Sequence, residues 1–314
     1  MNIVLMESLG IDDNTLNSYI EKLKNKGHDF KIFQRTDDIE VQKEQIKDAD
    51  IAIIANMPLC TDVIKSAKNL KFINIAFTGV DHVDINTAKN LNIDISNASG
   101  YSVESVCELT ICMILTLLRN VRECEQRCRE LKTKEGLLGN ELSGKTVGII
   151  GTGAIGSSVA KILNAFGCKI LAYNGFSHKQ NTDIITYLPL KEMLEQSDII
   201  TLHCPATPKS KHLINAQTIS YMKKGAILIN TARGAVVDSL ALKNALEKGI
   251  IRAAGIDVFD KEPPLEENEP LLSAKNTLLT PHIAFASEES MQKRAKIVFK
   301  NIDMWLCGKQ INKI

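Results

Sequence analysis

The chain has almost no net charge: 38 Lys and Arg face 37 Asp and Glu, a balance of +1. That leaves no electrostatic case for nucleic acid or for an anionic membrane surface as partner. The opening MNIVLMESLG has neither a basic n-region nor a long apolar run, so no signal peptide is expected. No apolar stretch reaches about 18 residues, the length a spanning helix needs. The nearest, ELTICMILTLLRN, is interrupted by Glu108 and Arg119 and reads as a buried helix. No CxxC pair occurs. The eight cysteines are Cys60, Cys107, Cys112, Cys124, Cys128, Cys168, Cys204 and Cys307. Several lie in apolar runs, which suits reduced core thiols in a cytoplasmic protein. Cys124 and Cys128 stand one helical turn apart, but no His is near enough in sequence to complete a tetrahedral site, and no metal is expected. Short-period repeats and low-complexity tracts are absent as well.

What remains is an ordinary globular composition, 44% hydrophobic and 24% charged over 314 residues, enough for about two domains. Short β-rich runs alternate with amphipathic segments: NIVLME, FKIF, DIAIIA and FINIAF, then KTVGIIG, CKILAYN, DIITLHC, AILIN, AAGID and TLLT. Apolar strands separated by helices mean βαβ units and parallel sheets covered on both faces. These strands are too many for one comfortable sheet. The expected fold is therefore α/β, with two doubly wound parallel-sheet domains. One long helical pattern, about 102–131, carries the chain into the second domain. A chain that crosses over once can cross back, so the final helical segment, SEESMQKRAKIVFKNIDMWLCGK, is assigned to the first. The boundaries read 1–98 plus 286–314 for one domain and 99–285 for the other.

GKTVGIIGTGAIGSSVAKIL holds Gly151, Gly153 and Gly156 in the GxGxxG spacing. The motif alone is weak evidence. Here it follows an apolar strand and opens a helix, the context a dinucleotide loop requires. Gly151 permits the tight turn, Gly153 lets a pyrophosphate approach, and Gly156 lets helix and strand pack closely. The next strand should end on an acidic residue for the adenosine ribose, yet LAYN ends on Asn174, which is uncharged. The following Ser177, His178 and Lys179 offer a hydroxyl and a cation that suit a 2′-phosphate. NAD(H) is expected as cofactor, with NADP(H) also accepted.

Three polar residues each stand just beyond an apolar strand: Arg233 after ILIN, Glu262 after AAGIDVFD, and His282 after TLLT. In a doubly wound sheet, such strand ends open onto one crevice. Arg233 offers a rigid fork of donors for a carboxylate. His282 can give or take a proton near neutrality, and a neighbouring Glu262 favours its imidazolium form. A protonated His is a suitable acid for a carbonyl oxygen that receives hydride. The other histidines (His28, His82, His178, His203 and His212) are read as structural.

With these segments in hand, the sequence resembles the D-isomer-specific 2-hydroxyacid dehydrogenase family. GTGAIG, HCPATPKSKHLI, MKKGAILINTARGAVVD, GIDVFDKEPP and TPHIA match its signature segments in order. The resemblance implies a Rossmann dinucleotide-binding domain and a flavodoxin-like substrate domain. It implies that Arg233 binds the substrate carboxylate and carbonyl, that His282 is the acid/base and Glu262 its partner, and that backbone N–H groups around Thr78 and Gly79 in FTGVDHVD hold the carboxylate. It puts Asp257 near the nicotinamide amide. Ala154, Ile155, Cys204, Pro205, Thr207, Thr231, Ala232 and Ala284, within the matched segments, are expected along the cofactor. A homodimer through about 102–131 is also implied, and ICMILTLL, apolar almost all round, supports it.

NASGYSVESVCELT resembles the corresponding stretch of glycerate dehydrogenases (hydroxypyruvate reductases), although Val103 and Cys107 replace the usual Thr and Ala. The expected reaction is hydride transfer between a nicotinamide and a small 2-oxo or D-2-hydroxy acid, hydroxypyruvate and D-glycerate first. D-lactate and branched-chain 2-hydroxy acid dehydrogenases are the alternatives, with phosphoglycerate dehydrogenase behind them. A dinucleotide-sensing corepressor-like protein is the alternative of another class.

Overall fold

The computed structural model describes residues 1–175, 179–262 and 264–314. The chain forms two compact units, Met1–Ser102 with Ala286–Ile314, and Val103–Phe285.

The smaller unit is built on five parallel strands: β1 (Asn2–Leu5), β2 (Asp29–Ile32), β3 (Ile51–Ile54), β4 (Phe72–Ile75) and β5 (Asp94–Asn97), in the order β2-β1-β3-β4-β5. IAII of β3, apolar throughout, and FINI of β4, apolar except for Asn74, are buried on both faces. DFKI of β2 is an edge strand and keeps its charges outside. β5, sequence DISN, is too polar to read as a strand by itself. Pairing with β4 makes it one, an instance of context overriding propensity. The last helix, Glu288–Leu306, returns to this unit. Ser287 and Ser290 form a reciprocal capping box at its start. Met291, Ala295, Val298, Phe299 and Ile302 are its buried face, and Asn74 in β4 donates to the Val298 carbonyl at 2.8 Å.

The larger unit holds seven parallel strands: β6 (Thr146–Ile150), β7 (Lys169–Tyr173), β8 (Ile185–Tyr187), β9 (Ile199–Leu202), β10 (Ala226–Asn230), β11 (Ile251–Ile256) and β12 (Thr277–Leu279). Their order is β12-β11-β10-β9-β6-β7-β8, so chain direction across the sheet reverses between β6 and β9. That switch point is where a doubly wound sheet opens a crevice at its carboxyl edge. Two apolar clusters cover the two faces. β8, only three residues long, was not legible as a strand.

The long helix expected over 102–131 is two helices, Val103–Leu118 and Val121–Arg129. Asn120 between them adopts a left-handed conformation, φ +49°, which Asn tolerates better than most residues. The Leu118 carbonyl is capped by the N–H of Asn140 at 2.8 Å, so the first helix ends there. Among the described residues, no helix is long and apolar enough to cross a membrane.

Candidate active site

The glycine loop lies at the switch point of the larger sheet. Gly151 has φ +92°, and a Cβ there would stand 2.7 Å from the His203 carbonyl oxygen. A Cβ on Gly156 would stand 2.0 Å from the Gly151 oxygen, so helix and turn pack with no room for a side chain. At Gly153 nothing lies within 4 Å of that position, which leaves the approach to the backbone open. Gly153 is the N-cap of helix Ala154–Ala165 and no side chain caps it. The first N–H groups, those of Ala154 and Ile155 among them, therefore face outward at the positive end of the helix. An open, uncapped helix start behind a glycine turn fits the pyrophosphate of a dinucleotide.

The Arg–Glu–His set is also in the larger unit. His282 Nδ1 and Glu262 Oε1 are 2.6 Å apart, with both side chains mostly buried. The second oxygen of Glu262 accepts from the Phe259 N–H at 3.1 Å, which fixes the carboxylate. That contact makes Nε2 the nitrogen on the side of His282 away from Glu262. Phe285 meets the imidazole edge-on, 5.5 Å between ring centres. Arg233 follows β10 in extended backbone, and its Nη1 donates to the Ala232 carbonyl at 2.7 Å. Arg233 and His282 come from the ends of β10 and β12, on either side of β11.

Several positioning residues carry no motif and were missed. Buried Asn230 accepts from the Ala232 N–H (3.0 Å) and donates to the Arg233 carbonyl (2.9 Å), a side-chain clamp on the arginine turn. An Asn at a strand end is a turn signal, and this was the available clue. Thr110, 0% exposed on helix Val103–Leu118, meets the hydroxyl of Thr231 at 2.9 Å. Ser105 on the same helix donates to the Ala284 carbonyl at 2.6 Å. One helix thus braces both the Arg233 turn and the His282 loop. Gly234 closes the set: a Cβ there would lie 1.9 Å from the Phe259 carbonyl carbon, so the arginine turn presses directly on the backbone that holds Glu262.

Asp257 is fully buried. Its carboxylate accepts from Thr280 Oγ1 (2.6 Å) and from the N–H groups of Ile283 (2.8 Å) and Ala284 (2.9 Å), and its carbonyl accepts from the His282 N–H (2.8 Å). Burial pushes its carboxyl above the usual range, against the lowering effect of those three donors. The carboxylate and carbonyl of Asp257 thus hold the His282 loop, while its backbone N–H donates to the Asn230 carbonyl at 2.9 Å. Both backbone groups of Ala284 are engaged, its N–H by the Asp257 carboxylate and its carbonyl by the Ser105 hydroxyl.

The remaining expected residues are dispersed. Asn174 follows β7, and the Gly151 N–H donates to the adjacent Tyr173 carbonyl at 3.0 Å, so Asn174 adjoins the glycine turn. Lys179 donates to the Thr152 carbonyl at 2.9 Å, while the Thr152 hydroxyl pairs with Tyr187 at 2.9 Å. Ser177 and His178 lie outside the described residues. Cys204 is buried beneath the glycine loop, and burial pushes its thiol up to about 11. Pro205 is exposed beside it, and the Thr207 hydroxyl is exchanged with Ser210 at 3.1 Å. Thr231 and Ala232 form the arginine turn itself. Thr78 and Gly79 belong to the smaller unit, in the loop after β4, where the Thr78 carbonyl accepts from Asn97 at 2.8 Å.

Residues 111–284 match the family model described as D-isomer specific 2-hydroxyacid dehydrogenase, NAD binding domain. A hydroxypyruvate reductase of Blautia hydrogenotrophica is 35% identical over 295 residues, which cover 90% of this chain and 91% of that protein. Among solved structures, an acyclic imino acid reductase in complex with NADPH and D-Arg superposes with a TM-score of 0.90 at 30% identity, all of both chains covered. A D-lactate dehydrogenase from Aquifex aeolicus, complexed with NAD and lactic acid, gives a TM-score of 0.86 at 32% identity over 98% of this chain and 96% of that one. The chain belongs to the D-isomer specific 2-hydroxyacid dehydrogenase family. It is an NAD-dependent oxidoreductase acting on a CH–OH group.

Proposed function

We propose that this protein reduces a small 2-oxo acid to the D-2-hydroxy acid, with hydroxypyruvate its best substrate and D-glycerate the product. The observation that carries the reading is the 2.6 Å pair of His282 and Glu262 at strand ends flanking the Arg233 turn. Bound NADH supplies the hydride. Arg233 holds the substrate carboxylate and carbonyl with its donor fork. Thr78 and Gly79 hold the carboxylate through backbone N–H groups, which makes the smaller unit the substrate domain and the larger one the dinucleotide domain. His282 donates a proton from Nε2 to the carbonyl oxygen as negative charge develops there, and Glu262 stabilises the imidazolium before transfer. In the oxidative direction, neutral His282 takes the proton back. Asn174 and Lys179 support use of NADPH beside NADH. The second copy in a homodimer is expected to cover helix Val121–Arg129, which buries no side chain of its own. The reduced thiols suit the cytoplasm.

The test is a panel of hydroxypyruvate, glyoxylate, pyruvate, branched-chain 2-oxo acids and 3-phosphohydroxypyruvate with NADH and NADPH, read as kcat/KM. Hydroxypyruvate should lead. Preference for pyruvate or a branched-chain acid would assign the alternative activity, and absence of turnover would favour a sensing protein.

A further inference from the structure

The carboxyl ends of β1, β2 and β3 in the smaller unit carry a polar cluster that the proton and hydride chemistry does not use. Glu7, just beyond β1, is 5% exposed. Its Oε1 accepts from the backbone N–H groups of Ala55 (2.7 Å) and Met57 (2.8 Å). A buried carboxylate is thus committed to one short turn beyond β3, whose middle residue is Asn56. Arg35, beyond β2, reaches the same turn. Its Nη1 donates to Asn56 Oδ1 at 2.9 Å and lies 3.4 Å from Glu7 Oε2, while Nη2 lies 3.5 Å from Asp37. A guanidinium only donates, so the oxygen of the Asn56 amide faces Arg35 and its NH2 group faces the other way. Among the described residues, no group accepts from that NH2.

The turn adjoins the Thr78–Gly79 loop within the same unit. β3 and β4 pair as far as Ile54 and Ile75, and the Ala76 N–H donates to the Ile54 carbonyl at 2.6 Å. The two loops pair again at Leu59 and Val83. Asn56 is therefore pinned on both sides beside the segment that, in the reading above, holds the substrate carboxylate.

We infer that Asn56, aimed by Arg35 and Glu7, is the binding residue that selects a 2-oxo acid carrying a neutral hydrogen-bonding group at C3. The inference rests on the proposed 2-oxo acid activity. A substrate anchored by its C1 carboxylate at the β4 loop has its C3 substituent two carbons along. An amide with unanswered N–H donors suits a hydroxyl oxygen there and gains nothing from a methyl. The charge of Arg35 is already met by Glu7 and Asp37, so the cluster offers a second anion, such as a 3-phosphate, little. Glu7 and Arg35 act through Asn56 as positioning residues.

The experiment compares kcat/KM for hydroxypyruvate, pyruvate and glyoxylate, with NADH, in the full-length wild type, Asn56→Leu, Asn56→Asp and Arg35→Met. Glyoxylate has no C3 and serves as the internal control. Both Asn56 variants should lose about tenfold or more on hydroxypyruvate, the scale of a hydrogen bond lost to a polar substrate group. They should stay within about twofold on glyoxylate, and pyruvate should not fall. Asn56→Asp keeps the size and the contact to Arg35 but lacks the donor, so it separates donation from shape. Arg35→Met should lower the hydroxypyruvate-to-glyoxylate ratio through KM, with kcat on glyoxylate retained. An equal loss on all three acids would reduce Asn56 to a support of its loop, and unchanged hydroxypyruvate turnover would remove the contact; either overturns the inference. Wild-type turnover of none of the three is a different pattern. It would overturn the proposed activity and this selection with it.

Discussion

At the scale of single residues, the proposed proton chemistry concentrates in one loop. His282 has φ +55°, uncommon for a residue with a side chain, and the Asp257 contacts hold it there. His282→Ala should lower kcat by about 10²–10⁴-fold while NADH affinity, measured by fluorescence titration, survives. A variant with near-wild-type kcat would assign the proton to another group. Cofactor choice is expected to turn on two other residues. Asn174 lacks the charge that would repel a 2′-phosphate, and Lys179 reaches the glycine turn at the Thr152 carbonyl. The kcat/KM values for NADH and NADPH should lie within roughly a hundredfold, about 2.7 kcal/mol. Asn174→Asp should move the ratio toward NADH, and Lys179→Ala should hurt NADPH more than NADH. A wild-type preference for NADH beyond about a thousandfold would mean that some other group excludes the phosphate.

At the scale of elements, strand ends and the turns beyond them set the geometry. The Arg233 turn lies against the Phe259 backbone with no space for a methyl at Gly234. Gly234→Ala must push the two segments apart. A loss of about 1–3 kcal/mol in unfolding free energy is expected, together with a fall in kcat as Arg233 and Glu262 shift. Unchanged Tm and activity would show that the turn can move freely. The end of β9 offers a pH test. Burial holds the His203 imidazole down to about 3, from an ordinary 6.5. Between those values the unfolded chain carries a proton at this site that the folded chain does not. Stability should therefore fall as pH drops below about 6.5 and level off near 3, with this group contributing at most about 1.4 kcal/mol per pH unit. Urea melts of wild type and His203→Gln across pH 4 to 7 should show a shallower slope in the variant; parallel slopes would refute the assignment.

For the whole molecule, the open matter is assembly. Helix Val121–Arg129 buries no residue, and the segment after it leaves Leu131 95% and Leu138 82% exposed. A second copy is the expected cover, since closed two-fold pairs are the commonest oligomers. Light scattering at micromolar concentration should give about twice the 34.7 kDa chain mass. Leu131→Glu with Leu138→Glu should shift it toward one chain; a wild-type mass of a single chain would refute the dimer.

The sequence by itself determined the α/β class and the glycine turn, and it pointed to the three polar residues of the proposed site. Each of these is a local signal: alternating apolar runs, a GxGxxG between strand and helix, and a charge just beyond a buried strand. It also carried the family, since whole segments around Arg233 and His282 match. What it left out depends on partners distant in the chain. β5 and β8 are strands because β4 and β7 pair with them, not because DISN or ITY favour extension. The break at Asn120 goes with a hydrogen bond that the distant Asn140 N–H donates to the Leu118 carbonyl. Thr110 and Ser105 read as ordinary helix residues until packing sets them against Thr231 and Ala284, more than 100 residues away. Asp257 carried a family role from its motif, but only the fold shows its carboxylate gripping the His282 loop. Local chemistry leaves a mark in sequence, whereas a contact between distant segments exists only once the chain has closed on itself.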